Sequence, residues 1–285
     1  LVPIDFFKSS GRIKIKGPKL SLPKVEQTIY QALVLGVKDY IDKNLFRGCV
    51  VGLSGGIDSA LTLAVAVDAL GPDHVVAISM PSKYTADMSI EDARSEAEVL
   101  GCDFHIIPIK EPVDAFTKTL EELLGDSGRG VTAENLQARS RGVILMAISN
   151  ATDRIVLATG NKSEMAVGYA TLYGDMVGGF AAIKDVPKTL VYRLARYRNS
   201  KNKIIPERVF DRAPSAELAP DQEDQDTLPP YAVLDAILEA YIEHDKAVTD
   251  IVKEGLDADI VTGVVRRVKR NEYKRRQAAP GVRIS

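Results

Sequence analysis

Apolar positions along the chain fall into two alternating rhythms. Residues 1–24 come first as a lead-in, punctuated by Pro3, Pro18 and Pro23 with basic residues between them. From Val25 the apolar side chains recur at Ile29, Leu33, Val37, Tyr40 and Ile41, the spacing of one helix face. A β-rich run follows, Cys49-Val50-Val51-Gly52-Leu53, then a glycine turn. Next comes a helical face of Leu61, Leu63, Ala64, Val67 and Leu70, ended by Gly71-Pro72. The alternation continues with strands over 75–79, 104–109 and 154–159, and helices over 89–100, 113–124 and 134–150. Strands separated by helices of this length imply parallel βαβ units with right-handed crossovers. The expected fold is therefore α/β over residues 25–285: a doubly wound parallel sheet with a helical C-terminal extension from about 187. A last short strand is expected near 180–183. Helices are expected over 188–197, 231–243, 247–254 and 259–269, with a polar loop at 211–228. The basic tail, 271–285, is expected to be irregular and mobile.

Composition narrows the class without naming it. The 285 residues are 45% hydrophobic and 27% charged with a net charge of −2, so no global electrostatic case exists for nucleic acid. No apolar run approaches the roughly 18–20 residues of a membrane span, so no membrane partner is expected. No signal peptide opens the chain. Cys49 and Cys102 form no Cys-x-x-Cys pair and read as buried thiols, which suits a cytoplasmic protein. His74, His105 and His244 are scattered without zinc-ligand spacing.

The candidate chemistry begins at Ser54-Gly55-Gly56-Ile57-Asp58-Ser59, between the first strand of the alternation and its helix. The glycines let the backbone turn sharply and approach a ligand closely. The helix start offers unpaired N–H groups and the positive end of the dipole, which suits pyrophosphate. The loop lacks the Gly-Lys-Ser/Thr ending of a Walker motif. Asp58 beside bound phosphates makes sense if magnesium bridges them.

This string resembles the pyrophosphate loop of the N-type ATP pyrophosphatases, whose fold is adenine nucleotide alpha hydrolase-like. Glu134-Asn135-Leu136-Gln137-Ala138-Arg139, Ala158-Thr159-Gly160-Asn161-Lys162-Ser163-Glu164, Tyr173-Gly174-Asp175, Lys188, Pro214-Ser215-Ala216-Glu217-Leu218 and Tyr273-Lys274-Arg275-Arg276-Gln277 follow in order. Together they resemble NAD synthetase, in the version found in glutamine-dependent enzymes. The ammonia-dependent branch carries a Lys near Leu172, an acidic residue near Gly179 and a His at Tyr273, and this chain departs from all three.

The resemblance implies ATP contacts at Gly52, Leu53, Ser54, Gly55, Gly56, Ile57, Asp58, Ser59, Thr159, Lys188 and Ser215. It implies magnesium ligands at Asp58 and Glu164, with Lys188 joining them as catalytic groups. Contacts to deamido-NAD are implied at Asn135, Arg139, Glu164, Asp175, Tyr273 and Lys274. The implied activity is that of a C–N ligase: ATP-dependent amidation of deamido-NAD by ammonia, releasing AMP and pyrophosphate. A homodimer or higher homo-oligomer and an N-terminal glutaminase domain are implied partners. The alternatives are another ATP pyrophosphatase, such as a GMP synthetase core, and a non-catalytic adenine-nucleotide binding module. A pure binder needs no pair of metal carboxylates.

Overall fold

Residues 3–18, 22–220 and 222–285 are described in a computed structural model. The lead-in holds a hairpin in which β1 (Asp5–Ser9) pairs antiparallel with β2 (Arg12–Lys16). Ser10 and Gly11 make the turn with φ of 52° and 78°, the left-handed backbone of tight hairpins. α1 (Val25–Lys43) then buries Tyr30, Leu33, Val37 and Ile41, four residues on the helical repeat.

The βα alternation runs as expected, with ends shifted by a few residues. It comprises β3 (Cys49–Gly52), α2 (Ile57–Leu70), β4 (Val75–Ser79), α3 (Asp87–Leu100), β5 (Asp103–Ile106), α4 (Lys110–Leu124), α5 (Val131–Thr152) and β6 (Ile155–Leu157). The four strands β3 to β6 form a parallel sheet in the order β5-β4-β3-β6. The chain leaves β3 on one side toward β4 and returns after β5 to its other side at β6. That reversal is the switch point where open α/β sheets bind ligands.

Side chains alternate between two cores, as the strand period of two requires. Cys49 and Val51 join Val75, Ala77, Ile155 and Leu157 in the larger cluster, with Leu33 of α1 and Leu61 of α2. Val50, Val76, Ile78 and Val156 face Leu145 of α5 in the other. Beyond the sheet come α6 (Lys162–Val167), α7 (Lys188–Asn199), α8 (Arg208–Asp211), α9 (Tyr231–Leu238), α10 (Val248–Lys253), α11 (Ala258–Arg270) and α12 (Glu272–Arg275). Leu234, Ile237 and Leu238 of α9 pack with Ile251, Val261, Val264 and the end of α6 into a third cluster, the helical lobe. No helix among the described residues is long and apolar enough to cross a membrane.

Three expectations are corrected. The strand expected over 180–183 is a single parallel bridge, Leu157 to Phe180. The next N–H in line, that of Ala181, is taken by the carbonyl of Pro280 at 2.8 Å, so the ladder stops. The loop expected over 211–228 contains a 3-10 turn, Asp224–Asp226, and begins with the last residue of α8. The tail is not a free segment. After α12 it returns to the sheet, packs Val282 and Ile284 on the larger core, and gives the N–H groups of Ile284 and Ser285 to Asp185.

Candidate functional site

The loop expected to hold phosphate is built where β3 ends. Gly55 has φ +81°, and a Cβ there would lie 2.2 Å from the carbonyl oxygen of Ser89, so only glycine fits. The Ser54 N–H donates to Ser59 Oγ at 3.2 Å, and Ser59 Oγ donates to the Gly56 carbonyl at 3.0 Å. Gly56 caps α2 without a side-chain acceptor, which leaves the first-turn N–H groups and the dipole available to an anion.

Three charged side chains converge beside this loop. Asp58 lies in the first turn of α2, Glu164 in the first turn of α6, and Lys188 is the first residue of α7. Lys188 is 2% exposed. Its ammonium donates to Asp58 Oδ2 and, at 3.3 Å, to Glu164 Oε1. Asn161, fully buried, links the Asp58 carboxylate to the backbone at the start of α6. Its Nδ2 donates to Asp58 Oδ1 at 2.8 Å, and its Oδ1 accepts the Glu164 N–H at 3.0 Å as the cap of α6. Burial pushes the Glu164 carboxyl up to about 8, with Lys188 opposing and Asp58 adding to the rise. Burial works against the Lys188 ammonium, but the two carboxylates outweigh it and hold its pKa above the ordinary lysine value.

With both carboxyls ionised the cluster would carry more negative than positive charge, so a bound cation would favour the ionised form of Glu164 and be favoured by it. Among the described residues no three His, Cys, Asp or Glu side chains are grouped to hold a metal alone. Magnesium suits such a pair, because it is commonly held by one or two carboxylates with substrate phosphates completing the shell.

A cleft of about 670 Å³ opens over the loop, within the range of small-molecule sites. Its wall includes Gly52, Leu53, Ser54, Gly56, Ile57, Asp58, Ser59, Thr159, Lys188 and Ser215 from the ATP set, and Glu164 from the magnesium and deamido-NAD sets. Asn135, Asp175 and Lys274 line the same cleft. Asn135 Oδ1 accepts from Thr171 Oγ1 at 2.8 Å, and Asp175 Oδ1 accepts the Thr171 N–H at 2.6 Å. Lys274 Nζ donates to the carbonyls of Gly168 and Ala170 at 2.8 and 2.6 Å, so it is anchored rather than mobile.

Three expected contacts stand off the wall. The Gly55 carbonyl accepts from Arg212 Nη2 at 2.6 Å, and Arg139 Nε donates to the Leu172 carbonyl at 3.2 Å. Tyr273 is 53% exposed. The sequence reading missed Arg212, which also donates to Ser89 Oγ at 2.8 Å, and Glu217 Oε1, which accepts from Ser89 Oγ at 2.7 Å. It also missed Arg141 and Asp224 of the wall. Arg212 carried no local signal. Asn161 did, as the first residue of an Asn-x-x-Glu capping box.

A family profile described as NAD synthase matches residues 29–278. The chain is 56% identical over 283 residues to a glutamine-dependent NAD(+) synthetase of Acinetobacter baylyi, covering 99% of this chain and 52% of that one. A solved glutamine-dependent NAD+ synthetase from Acinetobacter baumannii, in complex with ADP, superposes with a TM-score of 0.71 at 48% identity, covering 99% of this chain and 51% of that one. An NMN synthetase from Francisella tularensis superposes with a TM-score of 0.76 at 27% identity, covering 89% and 97%. The chain thus spans about half the length of the curated relatives it matches.

Proposed function

The chain belongs to the NAD synthase family, and from that premise we propose that it amidates deamido-NAD to NAD at the expense of ATP. One observation carries this reading: the phosphate loop and the Asp58, Glu164 and Lys188 cluster share a single cleft with Asn135, Asp175 and Lys274. That cleft offers room for a triphosphate and for a second, polar acceptor.

The chemistry asks for this arrangement. A carboxylate is a poor acyl donor because oxide would have to leave. Attack of the nicotinate carboxylate oxygen on the α-phosphorus breaks the bond to the β-phosphate oxygen. Pyrophosphate leaves and a mixed anhydride with AMP remains. Ammonia then adds to the activated carbonyl, loses its proton and expels AMP. The loop N–H groups and the start of α2 hold the leaving pyrophosphate. Lys188 supplies a buried positive charge beside the charge in flight. Asp58 and Glu164 would hold magnesium, which screens the repulsion between the incoming carboxylate and the phosphates. No side-chain nucleophile is needed; positioning and charge stabilisation suffice. In the full protein, an N-terminal glutaminase domain delivers the ammonia, and the assembly is a cytoplasmic homodimer or higher homo-oligomer.

The test is product analysis with ATP, magnesium, ammonium and deamido-NAD. AMP, pyrophosphate and NAD should form in equal amounts, and Glu164→Gln should abolish turnover while keeping the fold. ADP and phosphate as products would overturn the reading. The likeness to an NMN synthetase supports a second acceptor, nicotinate mononucleotide, which competes directly in the same assay. Amidation of xanthosine monophosphate instead would favour a GMP synthetase core, and binding of ATP without turnover would favour a nucleotide sensor.

A further inference from the structure

α7 begins at Lys188 immediately after Pro187, and Pro187 offers no side-chain acceptor to the first turn. The N–H groups there are satisfied by other parts of the chain. The Lys188 N–H donates to Ser163 Oγ at 2.8 Å, and the Thr189 N–H donates to Asp235 Oδ2 at 2.8 Å. Thr189 Oγ1 donates to the same oxygen at 2.7 Å, while Ser163 Oγ donates to Asp235 Oδ1. Asp235 sits on α9, in the helical lobe, and is 9% exposed. Neither Asp235 nor Ser163 lines the cleft.

We propose that Asp235 is a positioning residue: through Ser163 and Thr189 it sets the starts of α6 and α7, and so the placement of Glu164 against Lys188. The inference rests on the reading of Glu164 and Lys188 given above. Ser163 directly precedes Glu164, and its oxygen holds the backbone of Lys188. A serine hydroxyl has one proton and must choose where to send it. With that proton committed to Asp235 Oδ1, the lone pairs of Ser163 are left for the Lys188 N–H. Only a carboxylate presents two acceptor oxygens to these three donors. Its negative charge also lies against the positive ends of two helices. Asparagine is nearly isosteric but puts an NH2 where one of those acceptors is required. The geometry between Glu164 and Lys188 is then free to drift without any change in the residues that touch substrate.

Two variants, Asp235→Asn and Ser163→Ala, test this. Each should lower single-turnover formation of AMP about 10- to 100-fold, the scale of lost outer-shell partners at metal sites. Each should also weaken magnesium-dependent ATP binding, measured by calorimetry without the second substrate, about ten-fold. In a Glu164→Gln background, where ATP binding alone is read, the further loss of binding from Asp235→Asn should shrink below about two-fold, because residues acting as a unit are non-additive. A merely structural role predicts the same fractional loss in both backgrounds, and that result would overturn the proposal. So would unchanged AMP formation and ATP binding in Asp235→Asn. If Asp235→Asn does not fold, Ser163→Ala in the two backgrounds decides the matter by the same criterion. Near-normal turnover in Glu164→Gln alone would instead overturn the reading of the site and is distinguishable from failure at Asp235.

Discussion

Replacing Asn161 should damage stability and the cluster together, because one side chain performs two jobs. Its Oδ1 caps α6 through the Glu164 N–H at 3.0 Å, and its Nδ2 donates to Asp58 Oδ1 at 2.8 Å. Removing an Asn cap costs about 1 kcal/mol. Losing a hydrogen bond to a charged group costs roughly 1.5–3 kcal/mol more. Asn161→Ala should therefore lose about 2.5–4 kcal/mol, and the melting point should fall by roughly 5–15 °C at about 2–4 °C per kcal/mol. Asn161→Asp separates the two jobs. It keeps an oxygen for the cap but points a carboxylate oxygen at Asp58 where an amide N–H had been. At neutral pH it should be no better than Asn161→Ala in stability, and worse in the magnesium concentration needed for half-maximal turnover. Urea unfolding and a pyrophosphate-release assay on the three proteins read both quantities. A wild-type-like Asn161→Asp, or an Asn161→Ala within about 0.5 kcal/mol of wild type, the usual spread for neutral surface changes, would refute the reasoning.

Other expectations follow from buried groups and long-range ties. Glu96 is 1% exposed with Oε1 unpartnered; burial and then Asp92 hold its pKa well above 4.5, with Arg198 opposing. A raised carboxyl pKa means that stability falls as pH climbs above the unfolded value. Glu96→Gln should raise the melting point more at pH 8 than at pH 4, and an equal shift at both would count against it. Arg212 spans the Gly55 carbonyl and Ser89 Oγ with two nitrogens, which a lysine cannot copy. Arg212→Lys should raise the KM for ATP about ten-fold, the worth of one such bond, with kcat little changed; a normal KM would show that the loop holds itself. Deleting residues 279–285 removes Val282 and Ile284 from the larger core and two donors from Asp185. The truncated chain should melt lower than the full chain, and an unchanged melting point would return the tail to the status of a free segment.

Local pattern determined much of this molecule. The period of two at 49–52, 75–79 and 155–157 placed alternate side chains on the two faces of the sheet. The period of 3.6 at Tyr30, Leu33, Val37 and Ile41 set the buried face of α1. The Ser54–Ser59 string located the glycine turn that opens α2, and Asn161 and Glu164 opened α6, because turns and caps are decided within a few residues. What periodicity could not carry was any pairing made across the fold. The Ala181 N–H goes to Pro280, Arg212 reaches Gly55, and Asp235 reaches Ser163 and Thr189. Each partner lies tens of residues away, so no local rule names it. These bonds depend on where crossovers deliver the chain ends, and on which buried donors then remain without acceptors. The helix starts that bear Asp58 and Lys188 were legible one at a time, and the cap before Glu164 was local but passed over; their convergence was decided by the order of the strands and by a carboxylate on a helix outside the sheet.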